Sequence, residues 1–326
     1  MAKNAVPSYE SKFYINEYGI SGIRDWDASY TVPEARIDAL GCGFIRNIYA
    51  GPLQGELSFT RDFLVNSDPV LTFTGSDPVS GTLVYDTHFG NGDEKVFGFN
   101  TGYLTSYSVN CQLGTVPTVD CSFVSFGRFG SGIREGDLDY SGNTPLDGAR
   151  GLLPDYGFAN QGSIYCGFGQ SGTNRVTSVS QAYDINREPR YTLTQKNASD
   201  LTGGAGFVPA EVITHYPIEV TTNLTVEVDD FETANIMDNI RSGHFEEISL
   251  KIDQSANTIQ SLDSVNTAGG TTYLEDHDSN PLQDNGIKTM YEFSSVTGQL
   301  VGESVSTSVD GVLSVNLQFK DYLNGN

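Results

Sequence analysis

Residues 97–123, FGFNTGYLTSYSVNCQLGTVPTVDCSF, lie without a gap over residues 293–319, FSSVTGQLVGESVSTSVDGVLSVNLQF, when the chain is shifted by 196 positions. Phe97/Phe293, Thr101/Thr297, Gly102/Gly298, Leu104/Leu300, Ser108/Ser304, Val109/Val305, Val116/Val312, Val119/Val315 and Phe123/Phe319 coincide, the mark of a tandem duplication. In the first stretch Tyr107, Val109, Cys111 and Leu113 alternate with Ser106, Ser108, Asn110 and Gln112. In the second, Val301, Val305 and Val309 alternate with Gly302, Ser304, Ser306 and Ser308. A period of two is that of a half-buried strand. The returning strands are apolar at Val119, Cys121 and Phe123 and at Val315, Leu317 and Phe319, so each stretch reads as a hairpin with one wet face. A two-residue loop at Gly114-Thr115 or Asp310-Gly311 would turn the apolar residues of the paired strands to opposite faces. Three-residue loops at 114–116 and 310–312, each with a bulge, are therefore expected. They set Val109 opposite Cys121, Val305 opposite Leu317 and Cys111 opposite Val119, which disfavours a Cys111–Cys121 disulfide.

Outward from these hairpins the pattern recurs. Leu53, Leu57 and Phe59 alternate with Gln54, Glu56 and Ser58 after Pro52. After Pro217, Ile218, Val220, Leu224, Val226 and Val228 alternate with polar residues. Further upstream, residues 30–40 and 183–193 are alike with a one-residue gap. The expected fold is all-β with a minor helix: two tandem, related β-sandwich or barrel domains. The helix is placed at 230–242, where Phe231, Ala234, Met237 and Ile240 stand at helical spacing and Gly243 follows. The domains are expected at 1–127, with an N-terminal arm, and at 175–326. A Gly/Asp-rich connector, 128–174, separates them and shows no sustained periodicity.

At 326 residues the chain has room for two cores, and its wealth of glycine, tyrosine and phenylalanine suits short strands and turns. A net charge of −23 without a basic block argues against a surface that grips phosphates. No stretch has the apolar length of a signal peptide or a membrane span, so folding in a cytoplasm is expected. Cys42, Cys111, Cys121 and Cys166 are too sparse for a disulfide framework, lack CxxC spacing and read as buried thiols.

Motifs that resemble chemistry are weak. Gly167-Phe168-Gly169-Gln170-Ser171-Gly172 matches GxGxxG, but Arg175–Ser180 reads as a strand where dinucleotide binding needs a helix N-terminus. Asp276, Asp278 and Asn280 provide the first ligands of a calcium loop. Pro281 then replaces the required glycine and Ile287 the bidentate glutamate, leaving at most a surface cation site. His88, His215, His244 and His277 lie at no metal-binding spacing, and no GxSxG or GK[ST] is present. No catalytic, cofactor or metal residue is assigned, and no enzymatic activity is expected.

The segments 187–193 (REPRYTL), 216–230 (YPIEVTTNLTVEVDD) and 101–127 resemble phage major tail proteins, the tail tube family. The resemblance implies a small β-sandwich or barrel with a flanking helix, whose sheets join around a ring. It also implies the duplicated type, in which three chains supply six domains per ring and the rings stack into a tube. The expected partners are then the chain itself, a tape-measure protein, a tail terminator and baseplate or tip proteins. DNA would pass without specific binding, and the location would be the virion. Ser106, Ser108, Asn110, Gln112, Ser304, Ser306 and Ser308 are candidates for a polar lumen or solvent face, and residues 1–20 and the connector for contacts between rings. Other virion ring proteins (terminator, neck or baseplate) and an adhesive, carbohydrate-binding β-module are the alternatives. The latter would use exposed aromatics such as Trp26, the one tryptophan.

Overall fold

A computed structural model of the chain describes residues 12–16, 18–20, 22–31, 34–37, 46–49, 54–62, 69–75, 77–85, 95–126, 129–131, 164–168, 171–173, 176–191, 209–227, 245–253, 289–307 and 312–324. These are almost all strand. The first half contributes β1 (Lys12–Ile15), β2 (Tyr18–Ile20), β3 (Ile23–Thr31), β4 (Glu34–Ile37), β5 (Arg46–Tyr49), β6 (Gln54–Asp62), β7 (Val79–Tyr85), β8 (Lys95–Gln112) and β9 (Thr118–Ser125). A short β10 (Phe129–Gly130) pairs back onto β8. The second half contributes β11 (Ile164–Phe168), β12 (Ser171–Thr173), β13 (Val176–Asp184), β14 (Arg187–Arg190), β15 (Glu211–Thr214), β16 (Ile218–Glu227), β17 (Phe245–Asp253), β18 (Thr289–Ser306) and β19 (Ser314–Leu323). A 3-10 turn, Pro69–Thr74, precedes β7. The chain is all-β, and the expected helix at 230–242 lies outside the described residues.

The two sets of nine strands pair by one scheme. β1 joins β2 and β7, β3 joins β6, β4 joins β5, β6 joins β9, and β8 joins β7 and β9. The same pairings recur from β11 to β19 in the same order. Registers match as well. Val109 lies opposite Val119 and Val305 opposite Val315. Three bulges are shared. The step Leu104/Ser106 against Phe123/Ser122 repeats as Leu300/Gly302 against Phe319/Gln318. The step Ile23/Asp25 against Arg61/Thr60 repeats as Val176/Ser178 against Val226/Thr225. The step Val79/Gly81 against Gly102/Phe99 repeats as Glu246/Ile248 against Gly298/Ser295. In that last pair the sizes trade places: phenylalanine faces glycine in the first half, and serine faces isoleucine in the second.

One expectation is corrected. The hairpin loop is three residues long but falls at 113–115, because Gly114, at φ +78°, is the third residue of a turn closed by Thr115 N–H donating to Gln112 O at 3.1 Å. Moving the loop by one residue slides the register by two, so Val109 faces Val119 and Tyr107 faces Cys121. Parity is kept, and the same residues stay inside. The stretch 128–174, expected as a connector, holds β10, β11 and β12, the last two carrying the outer edge of the second half through β17. Strands of three and five residues rich in glycine are too short to show a period. Likewise β1 lies within the expected N-terminal arm, where Phe13, Tyr14 and Ile15 are buried.

Each half folds over itself. β8 is 18 residues long, pairing β7 with its first part and β9 with its second. The β7–β1–β2 sheet thereby doubles back on β6 and β9, and the Phe13 and Phe59 rings meet at 5.0 Å. Gly102 lies at this crossing, where a Cβ would stand 2.1 Å from the Phe99 ring. One cluster of buried residues runs from Phe13 and Phe59 through Tyr107, Val109 and Val179 to Leu317 and Phe319, so the two halves share a core.

Candidate functional site

The halves are joined through one strand pair. β8 of the first lies antiparallel to β13 of the second, from Ser106 opposite Asp184 to Gln112 opposite Ser178. Ile185 N–H donates to Thr105 O and Leu113 N–H to Thr177 O, both at 2.8 Å, closing the joint at its ends. On its apolar face Tyr107 and Tyr183 meet edge to face, centroids 5.9 Å apart, while Val109 faces Gln181 and Cys111 faces Val179. Arg187, from the start of β14, pins the joint. It donates to Leu104 O (3.0 Å), to Thr74 O (3.3 Å) and to Thr214 Oγ1, and lies 5.7 Å from the Tyr103 ring centroid. Its burial disfavours the charged form, opposed by Tyr216 and Tyr103. Arg187 was not legible as a joint residue in the sequence, since two of its acceptors are backbone carbonyls and the third is a threonine hydroxyl 27 residues away.

By the shared pairing scheme β13 is the counterpart of β3, and β8 of β18. Neither β3 nor the second part of β18 has a partner strand on its outer edge among the described residues. Exposure differs accordingly. Tyr30 is 51% exposed where its counterpart Tyr183 is 8%, and Val305 is 57% exposed where its counterpart Val109 is 2%. Trp26 is 38% exposed against 4% for Val179.

Eight strands, in the order β3-β6-β9-β8-β13-β16-β19-β18, carry a polar face opposite the core. Ser106, Ser108, Asn110 and Gln112 lie on it beside Asp184, Ala182, Ser180 and Ser178. Ser304 and Ser306 lie on it beside Asn316 and Ser314, whereas Ser308 is outside the described residues. Short side chains bond along it: Thr60 Oγ1 and Asn110 Nδ2 donate to Asp120 (2.6 and 2.9 Å), and Thr225 Oγ1 to Asn316 (2.8 Å). Asp25, Asp27, Glu56, Asp120 and Asp184 make it acidic. Two cations at this face are ion-paired, Arg24 with Asp62 and Lys320 with Glu219, each at 2.5 Å. Two open depressions of about 550 and 600 Å³ lie on it at either end of the joint. The first is lined by Asp27, Glu56, Asp184 and Arg187, the second by Asn110, Gln112, Ser178 and Thr225.

The remaining motifs fall outside this surface. Of the GxGxxG glycines, Gly167 of β11 lies opposite Gly172 of β12, Gly169 is outside the described residues, and β13 follows as the strand expected there. Residues 276–287, including the candidate calcium ligands, and Cys42 lie outside the described residues. Among the described residues no group of His, Cys, Asp and Glu has metal-binding geometry. Cys111 and Cys121 are buried thiols, and burial pushes the Cys111 thiol up to about 12. His215 pairs with Glu188 at 2.7 Å on an exposed ribbon. No helix among the described residues is long and apolar enough to cross a membrane. No protein-family model matches the chain, and no curated protein matches its sequence.

Proposed function

We propose that the chain is a non-enzymatic virion protein, the product of a tandem duplication, that assembles head to tail into rings and stacks into the tail tube of a tailed phage. The observation that carries this reading is the acidic polar face that runs across eight strands and both halves and ends at two edges without a partner strand among the described residues. A sheet of this kind curves, and a closed barrel removes its edges. With two repeats per chain, three chains supply six per ring, as the resemblance to duplicated tail tube proteins implies. Heterologous stacking of such rings gives an open filament.

The polar face would line the bore. DNA carries roughly one negative charge per 1.7 Å of axis, and free cations on the wall would hold it. A wall on which Arg24 and Lys320 are already bound to Asp62 and Glu219 supports passage without specific binding. The tape-measure protein would fill the bore before ejection, and terminator and baseplate or tip proteins would meet the two ends. Negative-stain micrographs of the purified protein at rising concentration test the reading. Hollow tubes with six lobes per ring are expected, and monomers at every concentration would overturn it.

A further inference from the structure

We infer that β3 of one copy pairs antiparallel with the second part of β18 of the next in the register of the internal β8–β13 joint. This rests on the reading that the chain assembles with itself. Transferring Ser106–Asp184, Tyr107–Tyr183, Ser108–Ala182, Val109–Gln181 and Asn110–Ser180 through the shared scheme sets Gly302 opposite Thr31, Glu303 opposite Tyr30, Ser304 opposite Ser29, Val305 opposite Ala28 and Ser306 opposite Asp27. The occupant is a second copy of this chain, because the chain already contains that complex once, between its own halves. The apolar residues left open at the two edges, Tyr30 and Val305, are the counterparts of residues the internal joint buries. A long edge with exposed apolar side chains is a template for strand addition. The contact is heterologous, one edge meeting the other, so it propagates until a ring closes.

The joint also dictates which amides become protected. Ile185 N–H to Thr105 O and Leu113 N–H to Thr177 O make the odd-numbered pairs the hydrogen-bonded ones. Their counterparts between copies are Ala28, Tyr30, Glu303 and Val305. Ser29 and Ser304 then form a non-hydrogen-bonded pair, whose Cα atoms stand about 4.5 Å apart, within disulfide reach. Both serines are exposed in the single chain.

The test is the full-length double variant Ser29→Cys/Ser304→Cys, oxidised mildly at assembling concentration and run without reductant. A ladder of covalent oligomers ending at the ring size is expected, with monomer from either single variant and from the displaced pair Ser29→Cys/Ser306→Cys. On the unaltered chain, amide exchange at Ala28, Tyr30, Glu303 and Val305 is expected to slow at least about tenfold on assembly, the cooperative protection of a paired strand. That second measurement decides the matter if the introduced thiols disturb assembly. Rings without a covalent link between positions 29 and 304 and without amide protection would overturn the joint and leave the ring reading standing. Equal linking of the displaced pair would overturn the register. Absence of both rings and links would overturn joint and ring together.

Discussion

β8 and β18 are one strand met twice, and they differ in what lies beside them. β8 has β13 against its second part, which buries Val109 and Tyr107, whereas the second part of β18 has no such strand among the described residues, and Val305 and Glu303 are exposed. The pairings to β7 and β9 recur at β17 and β19, with the bulges at Val79/Gly81 and Leu104/Ser106 repeated at Glu246/Ile248 and Leu300/Gly302. Burial at these positions is therefore a property of the neighbour and not of the strand. Arg187 adds a second difference: its counterpart position in the first half is Glu34, which has no donor for a carbonyl. A joint between copies lacks that pin and is expected to open before the internal one.

The sharpest way to break the comparison is to put the same charge at both positions. Val109→Asp places a carboxylate in the shared core and is expected to lower unfolding stability by about 4 kcal/mol or more. Val305→Asp is expected to leave the single chain within about 0.5 kcal/mol of the parent, since it changes an exposed edge. Urea unfolding of both variants reads the difference, and similar losses would mean that β18 is covered in the isolated chain. Under the proposed assembly, Val305→Asp should abolish tubes while leaving the fold intact.

Removing the pin tests whether the internal joint is held more firmly than the strand pairing requires. Arg187→Met leaves the Leu104 and Thr74 carbonyls without this donor, for an expected loss of about 2 to 4 kcal/mol in chemical denaturation. A change below about 0.5 kcal/mol would show that the strands alone hold the halves together.

The smallest effect concerns the polar face. Glu219 is held below its ordinary range by the hydrogen bond from Lys320, and Lys320 is held above its own by the same contact. The carboxylate's contribution is present above its unfolded pKa and is lost as pH falls through its folded pKa. The ammonium's contribution is present below the ordinary lysine range and is lost as pH rises through its folded pKa. Lys320→Met should return the Glu219 titration, followed by carboxyl NMR, to the usual glutamate range. An unchanged titration would show the pair to be open in solution.

The amino-acid sequence by itself settled the all-β class, because a period of two survives at Tyr107–Leu113 and Ile218–Val228, where one face is wet. It also revealed the final hairpin pair as a repeat, since β8, β9, β18 and β19 keep a constant spacing. The earlier strands escaped that single shift. Glu34–Ile37 and Arg187–Arg190 stand 153 positions apart, Arg46–Tyr49 and Glu211–Thr214 stand 165 apart, and the final hairpins stand 196 apart. Residues added between strands change the spacing but not the pairing. The polar residues of the candidate surface were legible as a face, since alternation alone sorts Ser106 and Ser108 from Tyr107. Only the tertiary structure decided that β13 lies against β8, that Arg187 reaches Leu104, and that Tyr30 and Val305 are left open. Those facts depend on strands brought together across dozens of intervening residues, and an edge looks the same in sequence whether or not a partner lies beside it.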